Sequence, residues 1–156
     1  MQPMKRVAAF CLSASLILTP VAAAADEQFG RYQEQKSYER LLREYENFLV
    51  RLQAAFRADD REAVIAMVHF PFRIHHDGER FVIRDAAELR RRFDWAFDEA
   101  TVAAVLDHDP KDIFSRDTGA MVGQGELWFD RRCRNEDCTL LTPVRIISVN
   151  HIAGSD

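Results

Sequence analysis

Residues 70–84 read Phe70-Pro71-Phe72-Arg73-Ile74-His75-His76-Asp77-Gly78-Glu79-Arg80-Phe81-Val82-Ile83-Arg84. Apolar and polar residues alternate on both sides of Asp77-Gly78, which is the period of a strand with one buried face. Asp and Gly both tolerate positive φ, as a two-residue hairpin turn requires. Such a loop pairs His76 with Glu79, His75 with Arg80, Ile74 with Phe81, Arg73 with Val82 and Phe72 with Ile83. Phe72, Ile74, Phe81 and Ile83 then share one face, and Arg73, His75 and Arg80 the other. A slip of one residue would scatter the apolar set over both faces. Turn chemistry and hydrophobic pattern therefore predict the same hairpin independently.

Upstream the period changes to that of a helix. From Ser37, Leu41, Leu42, Tyr45, Phe48, Leu49, Leu52, Ala55 and Phe56 recur at three- and four-residue spacing, one broad apolar stripe. Residues 26–37 are polar and are expected as a lead-in, mobile or partly helical. Asp59 with Glu62 has the spacing of a capping box opening a second short helix through Val68, with Ala63, Val64 and Met67 inward.

Downstream, Asp85 with Glu88 forms another box, followed by a helical stripe of Leu89, Phe93, Ala96, Phe97 and Ala100. Thr101–Leu106 continues that helix or forms a further turn. Asp109-Pro110 has the order of a helix cap followed by proline at the first helical position. Ile113–Arg116 is expected as a short strand or lead-in and Asp117-Thr118-Gly119 as a turn. Ala120–Arg131 and Thr139–His151 are expected as long strands. Gly123 and Gly125 within the first mark a bulge, bend or close approach, and Pro143 marks an edge or bulge.

The first 25 residues have the layout of a secretory signal peptide: Lys5 and Arg6, an apolar run over Val7–Leu18, and Ala23-Ala24-Ala25 before Asp26. The apolar run is shorter than the ~20 residues of a membrane-spanning helix. The expectation is export to the periplasm or beyond, with cleavage near Ala25 and no membrane anchor. The remaining 131 residues carry 19 basic and 25 acidic side chains, a net charge of −6. Their length suits a single domain over 38–151 with a tail at 152–156, and their charge argues against a nucleic-acid partner. Cys11 leaves with the signal. Cys133 and Cys138, separated by four polar residues, are expected as a disulfide clamping a hairpin tip, since a close pair in an oxidising compartment bridges.

The order helix, helix, hairpin, helix, then antiparallel strands resembles the nuclear transport factor 2-like superfamily, which includes ketosteroid isomerase and polyketide cyclases. Asp59–Val68 followed by Phe70-Pro71-Phe72 is similar to its second-helix-to-strand junction, and Asp85–Phe97 to its helix after the hairpin. Gly119–Phe129 is similar to its long bent strand, and Val144–Asn150 to its closing strand. The resemblance implies an α+β fold, with N-terminal helices packed against a strongly curved, mainly antiparallel sheet forming a cone. It also implies a possible homodimer through the sheet. A pocket in such a cone would draw on Phe72, Ile74, Phe81, Phe93, Trp95, Phe97, Gln124, Trp128 and Arg145. Ten phenylalanines in the mature chain are enough to fill much of that space instead.

Relatives of the isomerase type use an acid or base in an apolar cavity, where burial raises a carboxylate pKa. Glu126 and Asp94 are the candidates here, and a solvated or hydrogen-bonded surface acid is the competing reading for each. Trp95 and Trp128 are stacking surfaces or core. Arg145 is a partner for Glu126 or an anchor for an anionic ligand. His75 and His76 are adjacent on a strand and point to opposite faces, so they do not chelate one ion together. His69 is expected at a helix end and His108 in a loop, and no metal or cofactor is expected. Gly123-x-Gly125 lacks the third glycine of a dinucleotide site. The expected function is a non-enzymatic module binding a small apolar ligand or a protein. An isomerase, dehydratase or cyclase using a cone acid is one alternative. The other is a periplasmic inhibitor or immunity-type partner acting through the clamped tip or the outer sheet face.

Overall fold

The computed structural model describes residues 21–152. The signal-peptide reading therefore lies mostly outside the described residues, and Val21–Ala25 open the first helix. That helix, α1, runs Val21–Arg57. Residues 26–37 are helical throughout, as befits a stretch with no proline and many Glu, Gln, Lys and Arg residues. The chain divides into two compact units after Lys36. In the first, the Lys36 ammonium lies 5.5 Å from the Tyr32 ring centre. The second holds everything that follows.

Helix α1 ends in a Schellman arrangement. Asp59 takes a positive φ of 51°, its N–H donates to the Phe56 carbonyl, and the Asp60 N–H donates to Ala55. Asp59 is thus spent on stopping α1, and Asp60 becomes the cap of α2 (Arg61–Ala66), accepting from the Ala63 N–H at 3.0 Å. The expected box at Asp59 is displaced by one residue. The helix also stops before Val68, because β1 (Val68–His76) has begun there. Val64 and Ile65 are its buried residues.

Strand β2 (Glu79–Ile83) pairs with β1 in the register read from the sequence, all five pairs included. The turn places Asp77 at φ 51° and Gly78 at φ 78°, the doubly positive geometry of a type I′ turn. Phe72, Ile74 and Ile83 are fully buried, and Val82 on the opposite face is exposed.

Asp85 caps α3 (Ala86–Arg91) by accepting from the Glu88 N–H at 2.8 Å, while the Glu88 carboxylate accepts from the Arg84 N–H at 2.9 Å. The expected single helix breaks twice. It continues as α4 (Phe93–Ala96) and then as α5 (Glu99–Asp107), for which Asp98 forms a fresh cap onto the Thr101 N–H. The apolar stripe survives through Leu89, Phe93, Ala96 and Phe97, but Ala100, now in the first turn of a new helix, is exposed. Asp109-Pro110 opens a turn, not a helix: the Asp109 carboxylate takes the Lys111 N–H and its carbonyl takes the Asp112 N–H.

The remaining strands are β3 (Phe114–Arg116), β4 (Gly119–Val122), β5 (Leu127–Asp130) and β6 (Arg145–His151). The two long strands of the sequence reading are corrected. Ala120–Arg131 is a hairpin, β4 pairing antiparallel with β5, and Gly123 and Gly125 make its turn with φ of 61° and 108°. At Gly123 the left-handed backbone favours glycine, and a Cβ there would also force the Glu126 carboxylate to move. Thr139–His151 is strand only from Arg145, and residues 131–144 form an irregular loop containing the Cys133–Cys138 disulfide and a bridge from Cys133 to Leu141. Pro143 lies in this loop, just ahead of β6.

The fold is α+β, with a six-stranded mixed sheet in the order β2-β1-β6-β5-β4-β3. Only the β1–β6 pair is parallel. One face of the sheet meets the helices. Tyr45, Phe48, Leu49 and Leu52 of α1 pack with Phe72, Ile74, Leu127, Phe129, Ile146 and Val149, each at 1% exposure or less. Phe129 is central to this contact, its ring centre 5.0 Å from that of Phe48 and 5.5 Å from that of Tyr45.

Candidate functional site

Strand parity sends Arg73 and His75 of β1, Trp128 of β5 and Ser148 and Asn150 of β6 to the face opposite the helices. They line a groove of about 520 Å³ together with Ile147, Arg132 and the β3–β4 turn residues Asp117 and Thr118. Its floor depends on a bulge. Trp128 pairs with Ser148 and Phe129 with Ile146, which leaves Ile147 as the extra residue on β6.

Asn150 organises one end. Its Nδ2 donates to the Gly125 carbonyl at 2.6 Å, so its Oδ1 faces His75 and accepts from Nδ1 at 2.8 Å. That assigns the His75 ring proton to Nδ1 and leaves Nε2 directed away from the pair. The Asn150 N–H also donates to the Glu126 carbonyl at 2.8 Å, which ties the β4–β5 turn to β6. Arg73 and Arg132 form no ion pair among the described residues. The groove thus offers an aromatic plane, two uncommitted guanidiniums and a fixed imidazole–amide pair.

The disulfide loop adjoins this groove. A smaller concavity shares Asp117 and Arg132 with it and adds Asp130, Arg131, Cys133, Cys138 and Leu141. On the same loop Leu140 and Leu141 are 59% and 41% exposed. Arg131 is held at 3.5 Å by Glu44 of α1.

The structure separates the site residues expected from sequence. Phe72, Ile74, Phe93 and Phe97 are core residues at 7% exposure or less, and Phe97 packs against both Phe72 and Phe93. Phe81 and Trp95 meet edge to face at 5.2 Å, with the Arg92 guanidinium over the indole. Asp94 is an exposed acid paired to Arg61 at 2.7 Å. Glu126 belongs to the β4–β5 turn, where its carboxylate accepts from the backbone N–H of the exposed Gln124. Arg145 does not meet Glu126; its backbone lies opposite that of Asp130 in the β5–β6 register with no ion pair between their side chains, and its guanidinium donates to the Ala66 carbonyl at the end of α2. Only Trp128 of that set lies in the outer groove.

The histidines also sort differently. His75 and His76 do point to opposite faces. His76 meets His151, the two Nδ1 atoms 3.0 Å apart, with Trp95 beside both rings. His69 is a strand residue and not a helix end. His108 accepts from the Gly123 N–H at 3.2 Å through Nδ1, so its Nε2 carries the proton and donates to the Asp112 carbonyl at 2.9 Å. Among the described residues, no three His, Cys, Asp or Glu side chains are grouped to hold a metal ion, and no helix is long and apolar enough to cross a membrane.

No family model, curated protein or solved structure matches this chain.

Proposed function

We propose that this chain is an exported, non-catalytic binding module of nuclear transport factor 2-like type, and that it grips an acidic segment of a partner protein on its outer sheet face. The observation that carries the reading is Trp128 on an open face with the unpaired guanidiniums of Arg73 and Arg132 in the same groove. Trp and Arg dominate the energetic centres of protein interfaces, where each offers large area or several donors. The exposed Leu140 and Leu141 follow the disulfide-closed segment and are tied back to it, Leu140 by hydrogen bonds with Arg134 and Asn135 and Leu141 by its bridge to Cys133, so they add apolar surface without a large ordering cost on binding. Two candidate acids, Glu126 and Asp94, are each engaged by a local partner, which favours binding over proton transfer. Export is supported by the layout of residues 1–25 and by the disulfide, which needs an oxidising compartment.

The test is native mass spectrometry and affinity capture of the mature protein from an envelope extract of its own host. A protein that co-purifies with wild type and is lost in Trp128→Ala/Arg132→Glu, with an unchanged circular dichroism melt, supports the reading. Equal capture by both proteins sinks it. The N-terminus of the purified chain should be Asp26, and a retained Met1 would remove the export part.

A further inference from the structure

A second concavity, of about 460 Å³, lies where α2 and α3 approach the start of β1 and the end of the disulfide loop. It is lined by hydrogen-bond donors converging from three separate segments: His69 of β1, Arg134 and Thr142 of the loop, and Arg145 at the start of β6. Arg145 is anchored by the Ala66 carbonyl through one nitrogen, which leaves its others free to donate. Thr142 Oγ1 accepts from the Arg132 N–H at 2.8 Å, so its hydroxyl proton is uncommitted. Arg134 is exposed and in no ion pair among the described residues. The one acid on the wall, Glu62, is gripped by two of the three Arg90 guanidinium nitrogens at 2.6 Å and is neutralised there.

We infer that this cavity is a binding site for a phosphate group, either the free ion or a phosphate monoester. Two unneutralised guanidiniums match a dianion in charge, and Thr142 and His69 add donors from other directions, as a tetrahedral oxyanion can use and a flat carboxylate cannot. The state of His69 fits. Burial first, and then Arg132, Arg73 and Arg145, hold its imidazole below the usual histidine range, which favours a neutral ring amid the arginines. A bound dianion would offset that field and allow the ring to take up a proton. The charged groups around the ring are then Glu62 and Arg90 from the helices, Arg73 on its own strand, Arg132 and Arg134 from the loop, and Arg145.

The experiment is an NMR titration of the mature protein with inorganic phosphate, glycerol 3-phosphate and acetate, following the His69 ring and nearby amides. Saturable phosphate-induced shifts are expected, with the His69 midpoint moving to higher pH. Arg134→Gln should weaken binding about tenfold, the loss of one charge-assisted contact, and Trp128→Ala should leave it unchanged. Tighter glycerol 3-phosphate assigns the monoester, and tighter inorganic phosphate the free ion. Absence of saturable shifts overturns the site, as does binding that Arg134→Gln leaves intact. Acetate binding as well as phosphate overturns the ligand class. Trp128→Ala in this assay also separates the cavity from the outer-face reading, since either can fail alone. His69→Gln, which keeps a neutral hydrogen-bonding side chain, should bind phosphate with a flatter pH dependence, a change that mere loss of folding would not produce.

Discussion

The Gln53 side-chain amide donates to the Val105 carbonyl at 2.9 Å, and the same nitrogen reaches the His108 carbonyl at 2.8 Å. Both acceptors lie at the C-terminal end of α5, where carbonyls have no partner within the helix. Gln53 is 5% exposed on an otherwise apolar stripe, so α1 supplies α5 with its cap across the core. Gln53→Leu keeps the apolar contact and removes the donor. It should destabilise the protein by about 1–3 kcal/mol, the cost of leaving buried acceptors unmet. The check is urea unfolding, with a lower midpoint at an unchanged m-value. A midpoint equal to that of wild type would show that water satisfies these carbonyls as well.

Phe129 is the sheet residue on which α1 rests, contacting Tyr45 and Phe48 at 0% exposure. Phe129→Ala should cost about 3–5 kcal/mol, the usual loss for emptying a buried aromatic site. Trp128→Ala, one residue away on the outer face, should cost far less. Thermal melts of the two variants measure the contrast directly. Similar losses would mean that the outer groove is part of the folding core.

These two residues also show what was legible in the sequence. The β1–β2 hairpin could be read because Asp77-Gly78 demands one turn type and the apolar alternation demands one register, and both give the same five pairs. Phe48, Leu49 and Leu52 were readable as core from helical spacing alone. Gly123 and Gly125 were ambiguous, since glycine marks a bulge in one long strand as readily as a turn between two. The cap read at Asp59 falls to Asp60 because Asp59 takes the positive φ that ends α1, which the Asp59–Glu62 spacing does not reveal. The outer groove was half legible. The hairpin register put Arg73 and His75 outward, but Trp128, Arg132 and Asn150 join them only through the strand order β1-β6-β5. That order rests on a parallel β1–β6 pair between segments some 75 residues apart, which no local pattern encodes. Gln53 was hidden because a polar residue in a helical pattern reads as its solvent side.

The Cys133–Cys138 bridge closes a short loop, and its stabilisation comes chiefly from restricting the unfolded chain. A loop this short belongs at the low end of the ~2–4 kcal/mol range. Cys133→Ser should lower the melting temperature, and reductant should lower that of wild type to the same value while leaving the variant unmoved. Because Cys133 bridges to the exposed Leu141, the variant should also lose partner capture beyond what its stability explains. An unchanged melt in oxidising buffer would argue that the unfolded loop is already compact.

His69 gives the fold a pH dependence whose direction can be worked out. Its folded-state pKa is lowered from 6.5, first by burial and then by Arg132, Arg73 and Arg145. The unfolded chain therefore binds the proton more readily than the folded one. Above 6.5 both states are neutral at this position and nothing is lost. As the pH falls through 6.5 toward the lower folded value, the unfolded state gains protons first and the native state loses stability. Urea midpoints measured on either side of 6.5 should show this decline in wild type and a smaller one in His69→Gln. Saturating phosphate should reduce the wild-type decline as well, because an anion among those arginines lifts the His69 pKa back toward its unfolded value. A decline identical in both proteins would assign the pH dependence to other groups and leave His69 as a structural strand residue.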